Sequence, residues 1–308
     1  MIGWDEVLAP GLAADTVIQS WRGQESLAEA SKKGYRGILS FGYYLDHLTP
    51  TSAHYAVDPL GGAAGALSPA ETTRILGGEA CMWVEYVSPE TVDSRIWPRM
   101  AAIAERLWSP REIMDVNSMY ARMEAVSRLL DWVGLQHRVN YEPMLERLGD
   151  GPLRILADVS EATGIEIRRD ARKYTSLVDL NRFPDAVRPE SELVRRLELE
   201  AAKLAPADLA ELRGEFRRWS DLHGEFPAAL QPLAKNLKET GAIGLQALEY
   251  LESSKPAPDT WITDRKAALD AMQKPTAEVV LAAPRPVRLL LETLERRAGK
   301  TGGLHRGR

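Results

Sequence analysis

Leu76 to Pro110, reading LGGEACMWVEYVSPETVDSRIWPRMAAIAERLWSP, constrains what this chain can fold into more than any other stretch. Its first half has the character of a buried parallel strand, with a Gly-Gly entry, a run from Glu79 to Glu85, and a loop signal at Ser88-Pro89. In an extended segment alternate side chains share a face, so Glu79, Cys81, Trp83 and Glu85 point one way and Ala80, Met82 and Val84 the other. One face then carries an indole and two carboxylates, and the other is apolar. The second half reads as a helix in which Met100, Ile103, Ala104, Leu107 and Trp108 recur at helical spacing and pack behind the strand, as in a β/α barrel.

The motifs GGEACMW, DSRIWPR and AAIAERLWS resemble the last barrel strand and helix of family 20 glycoside hydrolases, the β-N-acetylhexosaminidases. Met1 to Glu6 resembles the fifth barrel strand of that family, and Asp15 to Trp21 the sixth. Gln24 to Lys33, stopped by Gly34, reads as a crossover helix, and Tyr35 to Phe41 as the next strand with Gly42 to Asp46 as its carboxyl-end loop. The resemblance implies an α/β fold: strands five to eight of a (β/α)8 barrel, followed by an all-α region. The partial barrel is expected over residues 1–150, a helical accessory domain over 151–299 and a disordered tail over 300–308. In such folds chemistry sits at the carboxyl ends of strands, where Trp4, Trp21, Tyr44, Asp46, Trp83 and Glu85 all fall.

Those residue types suit a carbohydrate. A pyranose stacks its C–H faces on indoles and offers hydroxyls to fixed acceptors. By resemblance, Tyr44 is the catalytic residue, donating its hydroxyl to the 2-acetamido oxygen that serves as the internal nucleophile in this family. Asp46 and Glu85 are implied to bind sugar hydroxyls, and Trp4, Trp21 and Trp83 to wall the sugar. Where many members carry a Trp before Val-Asp-Pro, this chain has Tyr55. Trp97 and Trp108 read as core aromatics, and Gly61 to Gly65 as a flexible loop over the pocket. Asp5-Glu6 follows a Trp, whereas the family's catalytic Asp-Glu pair follows two glycines, so these read as loop carboxylates, with a displaced catalytic pair as the alternative. Asp46 and Glu85 as the two carboxylates of an ordinary retaining glycosidase form another alternative.

The family's strand four, with its Gly-Gly-Asp-Glu motif, has no counterpart upstream, which makes the chain a fragment expected to be inactive alone. Four strands leave two open edges, and self-association there is expected. The net charge of −5 argues against a nucleic-acid partner, and the partners implied are glycans bearing N-acetylglucosamine or N-acetylgalactosamine. No apolar run is long enough to span a bilayer, and no signal segment follows Met1. No cofactor is implied. His47 and His54 lack a third ligand for a metal, and Cys81, the single cysteine, reads as a buried thiol. Past residue 150 five amphipathic helices are expected, at 191–204, 206–223, 232–253, 264–272 and 277–297, with none of the catalytic motifs. A non-catalytic glycan-binding or helical scaffold protein is the rival reading.

Overall fold

The structure, a computed structural model, describes every residue except 150, 172–174, 176, 254 and 305–308, and side chains outside those and 299–304. The chain forms two compact units, Met1–Asn140 and Tyr141–Arg308.

The first unit is built on a parallel sheet in the order β1-β2-β3-β4, with β1 Ile2–Trp4, β2 Val17–Ser20, β3 Arg36–Leu39 and β4 Ile75–Gly78. Trp4 pairs with Gln19, Ser20 with Leu39, and Leu39 with Gly78, so the four carboxyl ends lie side by side. The register slips between Gly37 and Ile38, where Leu76 is the extra residue and Gly77 adopts φ +131, a conformation only glycine takes without strain. The helices are α1 Gln24–Lys32, α2 Thr51–Ala56, α3 Pro69–Thr72, α4 Val92–Ile96, α5 Arg99–Trp108 and α6 Val116–Trp132. Asp115 caps α6 by accepting from the Ser118 amide at 3.0 Å, leaving one fewer orphan donor at its start.

Between sheet and helices lies a core of Leu27, Leu39, Tyr43, Leu45 and Ile103, flanked by Ile75, Ala80, Met82 and Met100. Each such aliphatic side chain contributes about 1.5–3 kcal/mol by leaving water. A second cluster joins Tyr55, Ala102, Met119 and Met123. The inner face of α5 differs from the expected stripe: it is Arg99, Ala102, Ile103 and Arg106, while Ala104 and Leu107 are exposed and Trp108 is 93% exposed. The two arginines explain the rotation. Arg99 donates to the carbonyls of Thr49, Leu45 and Arg95, and Arg106 to that of Val57, so they close the loops after β3 from inside. Trp108 is therefore no core aromatic, and Trp97 is half-buried at the end of α4.

The second unit contains α7 Glu142–Leu148, α8 Pro152–Asp158, β5 Ser160–Ala162, α9 Ile165–Ala171, α10 Phe183–Ala186, α11 Glu192–Lys203, α12 Pro206–Ser220, α13 Gln231–Glu252, α14 Asp259–Met272, β6 Val279–Leu281 and α15 Pro284–Leu304. It is thus not wholly helical, because β5 and β6 pair antiparallel, Glu161 opposite Val280. The tail expected over 300–308 overlaps the end of α15, and residues 305–308 lie outside the described residues. Helices α12 and α13 meet closely at Gly241, where an added Cβ would stand 2.5 Å from the Phe216 carbonyl oxygen.

One buried carboxyl makes this unit pH-sensitive. Glu200 of α11 is 8% exposed, with Arg196 at 3.5 Å and one oxygen without a hydrogen-bond partner. Burial, then the charge of Glu211, raises it from 4.5 to about 7; Arg196 opposes this, while a hydrogen bond to Glu211 and the charge of Asp208 add to it. Because the folded value lies above the unfolded one, its contribution is full below about pH 4.5 and is lost as pH rises through about 7. Glu200→Gln is expected to gain about 1 kcal/mol on the wild type between pH 5 and 8. Urea denaturation at both pH values checks this, and a pH-independent difference contradicts it.

Candidate active site at the carboxyl ends of the sheet

The site grows from what happens where each strand stops. After β1, Asp5 to Val7 form a 3-10 turn. The Asp5 carboxylate is buried and ion-paired with Arg22 Nε at 2.8 Å, which ties the end of β1 to that of β2. Glu6 accepts from Trp21 Nε1 at 2.9 Å and so orients an indole that is 40% exposed. Both acids of this pair are therefore engaged by neighbours, as loop carboxylates are.

After β3 the chain turns at Gly42 and enters a 3-10 turn, Leu45–His47, with Tyr44 at its start. Tyr44 is buried, and its ring stacks on that of His47 at 5.1 Å. Burial raises its phenol well above the ordinary range, and the neighbouring Cys81, Asp46 and Glu79 add to this. The hydroxyl is thus held protonated, as a donor.

After β4 the ladder ends sooner than the sequence suggests. The expected strand over Glu79 to Glu85 is observed as β4 at Ile75–Gly78, continued only by the Glu79 amide on Leu39 and by a bridge between Cys81 and Tyr44. The cause lies in the neighbour: β3 gives way to the turns at Gly42 and Leu45–His47, leaving Trp83 and Glu85 no strand to pair with. They hang on the loop beyond.

That loop folds toward Asp46. The Trp83 amide and the charge of Glu85 both act on the Asp46 carboxyl, the first favouring its charged form and the second raising it. Burial is the largest cause of that rise; the amides of Asp46 and Trp83 and the charge of His47 work against it. Asp46 Oδ1 and Glu85 Oε2 are both buried without a hydrogen-bond partner. Trp83 is 48% exposed, and its ring faces that of Trp4 at 6.2 Å and 40°. Five of the six expected residues, Trp4, Tyr44, Asp46, Trp83 and Glu85, are thus linked, and Trp21 stands beside them at the end of β2.

Buried acceptors without donors are rare in native structures, where they carry a desolvation cost unless a ligand or water fills them. Two such oxygens, with a protonated phenol and a pair of half-open indoles at the same strand ends, suit a neutral ligand rich in hydroxyls. Among the described residues no group of His, Cys, Asp and Glu is arranged to hold a metal ion, and no helix is long and apolar enough to cross a membrane.

Other candidates fall elsewhere. Tyr55 is buried on α2, with its hydroxyl on Glu105 at 2.7 Å. His54 is buried, with Nδ1 on the Gly42 carbonyl oxygen at 2.7 Å. The glycine-rich segment is a 3-10 turn over Gly62–Ala66 lying against Gln24 of α1. The sequence reading missed Gln19 and Ser40, which converge on Glu79; their signal was a polar residue near the carboxyl end of β2 and just past that of β3.

With this geometry in place, comparison with known proteins adds a family. Residues 1–111 match the model of the glycosyl hydrolase family 20 catalytic domain. The β-hexosaminidase subunit alpha of Bos taurus is 37% identical over 131 residues, 39% of this chain and 24% of that protein. Subunit beta of Homo sapiens is 35% identical over 136 residues, 40% of this chain and 23% of that protein. The X-ray structure of Flavobacterium johnsoniae chitobiase aligns with a TM-score of 0.79 at 31% identity, over 94% of this chain and 47% of that one. The chain thus spans about a quarter of these curated relatives and just under half of the chitobiase.

Proposed function

We propose, for a chain related to the β-N-acetylhexosaminidases of glycosyl hydrolase family 20, that its parallel sheet is strands five to eight of a (β/α)8 barrel and that the strand ends hold a terminal N-acetylhexosamine. The barrel part falls within residues 1–150 and a helical accessory part within 151–299. Tyr44 donates its hydroxyl to the acetamide oxygen of the sugar and so holds that oxygen for attack on the anomeric carbon, the substrate-assisted route to retention. Asp46 and Glu85 accept from ring hydroxyls, and Trp4, Trp21 and Trp83 wall the sugar. The observation that carries this reading is the pair of buried, unpartnered oxygens, Asp46 Oδ1 and Glu85 Oε2, next to a phenol kept protonated.

Hydrolysis also needs an acid to protonate the leaving oxygen, a contribution of about 10²- to 10⁴-fold. The 308 residues contain no Gly-Gly-Asp-Glu, Asp5 is ion-paired with Arg22, and Glu6 is bonded to Trp21. Binding without turnover is therefore the expected behaviour of the chain alone. Calorimetry with N-acetylglucosamine should give a heat that falls about tenfold in affinity in Tyr44→Phe, and a chromogenic β-N-acetylglucosaminide should go uncleaved. Absence of any heat overturns the sugar reading. Turnover that survives Glu6→Gln but is lost in Tyr44→Phe overturns the inactive part, and turnover lost in Glu6→Gln makes Glu6 the acid.

A further inference from the structure

The loop that carries Tyr44 and Asp46 is bent against its own preference. Gly42 opens it at φ +83, and Leu48 closes it at φ +54, a left-handed conformation that costs a bulky residue about 1–3 kcal/mol and persists only where the surroundings hold it. His54 of α2 supplies that hold. It is 1% exposed and meets both ends of the loop: Nδ1 is 2.7 Å from the Gly42 carbonyl oxygen, and Nε2 is 3.0 Å from Thr49 Oγ1. Arg99 of α5 reaches the same Nε2 from Nη1 at 3.4 Å, and it donates to the carbonyls of Leu45 at 2.7 Å and Thr49 at 3.1 Å.

The tautomer follows by counting. A carbonyl oxygen only accepts, so the Nδ1 that faces Gly42 carries a proton. A guanidinium only donates, so the Nε2 that faces Arg99 offers its lone pair, and the Thr49 hydroxyl donates to it as well. His54 is therefore the neutral imidazole protonated on Nδ1. A ring in that state ties residue 42 to residue 49 across the turn that holds Tyr44 and Asp46.

We infer that His54 is a positioning residue for the site: by fixing both ends of this loop it sets where the Tyr44 phenol and the Asp46 carboxylate stand for a ligand. The ligand half of this inference rests on the sugar reading above; the tautomer and the attachment of the loop do not. A merely structural His54 would stabilise the first unit while leaving the place of Tyr44 unchanged.

Nitrogen NMR of the whole chain in mildly alkaline buffer, with the His54 signals assigned by their absence in His54→Phe, should show the Nδ1–H tautomer. An Nε2–H tautomer or an imidazolium overturns the inference whether or not a sugar binds. His47 gives a second reading free of ligand, because its ring stacks on that of Tyr44 at 5.1 Å and its ring protons feel the phenol. Those protons should move toward the value of an exposed histidine in His54→Phe. The same variant should weaken N-acetylglucosamine binding about tenfold in the wild-type background but only about twofold once Tyr44 is Phe, and His54→Asn, whose amide can still donate to the Gly42 carbonyl, should recover part of the loss. If His54→Phe does not fold, Thr49→Val removes one donor to Nε2 at nearly constant volume and should shift both the Nε2 and the His47 signals. Unmoved His47 protons, or losses that add independently of Tyr44, overturn the inference. If the wild-type chain binds no N-acetylglucosamine, the sugar reading falls by itself, and the tautomer and the His47 protons still decide whether His54 places Tyr44.

Discussion

Alanine at position 83 lowers the affinity for N-acetylglucosamine about a hundredfold while leaving the fold in place. The two halves of that expectation come from one number: Trp83 is 48% exposed, so half of its ring is outside the core and its removal leaves no closed cavity. What it loses is the flat wall opposite Trp4, whose ring lies 6.2 Å away, and with it the stacking surface for the sugar's apolar face. Trp108→Ala supplies the control, since that indole is 93% exposed and distant in role from the strand ends. Calorimetry on both variants, with circular dichroism to confirm folding, separates the cases. Equal losses at 83 and 108, or a change below about threefold at 83, would remove the indole wall from the site.

Why the strand ends were legible in the sequence while their details were not can be argued from a few residues. Short apolar runs at Val17-Ile18 and Ile38-Leu39 mark buried parallel strands, and a Trp or Tyr-x-Asp just past them then has to stand at the rim. Glu79 to Glu85 carries a strand-like alternation, yet it pairs only as far as Cys81, because pairing depends on where the neighbouring strand stops. The stripe on α5 was misjudged for a related reason. Arg99 and Arg106 count as solvent-seeking in any local reading, and only the distant carbonyls of Thr49, Leu45 and Val57 make their burial favourable. Helices α11, α12 and α13 declare themselves by caps and period, Ser191 accepting from the Val194 amide at 3.0 Å, for example. By contrast β5 and β6, three residues each and far apart in sequence, with Ala162 pairing with Val279, carry no local signal that could pair them.

The same contact region carries the largest stability effect expected in the second unit. Arg168 of α9 is fully buried between two acids, Asp185 at close hydrogen-bonding distance and Glu278 at 3.5 Å. Arg182 bonds Glu278 from the other side, and its amide donates to Asp185 at 2.8 Å. Thr163 adds a bond to the Glu278 carbonyl at 2.7 Å, which ties the cluster to the end of β5. Assembling such a set from water is costly, so its net contribution is small; removing one member is different, because the partners stay buried with their charge uncompensated. Arg168→Leu leaves two acids facing one arginine and is expected to destabilise the second unit by about 3–5 kcal/mol. Acid should narrow that gap. Burial would raise the Glu278 carboxyl, but the bonds and charges of Arg182 and Arg168 bring it below its ordinary value. The stability this supplies is present above about pH 4.5 and lost as pH falls through the lowered value, so the wild type approaches the variant there. Urea denaturation of the whole chain at pH 7 and pH 4, followed by circular dichroism, measures both differences. A loss below about 1 kcal/mol at pH 7 would mean that solvent reaches the cluster, and a gap that widens in acid would reverse the sign assigned to Glu278.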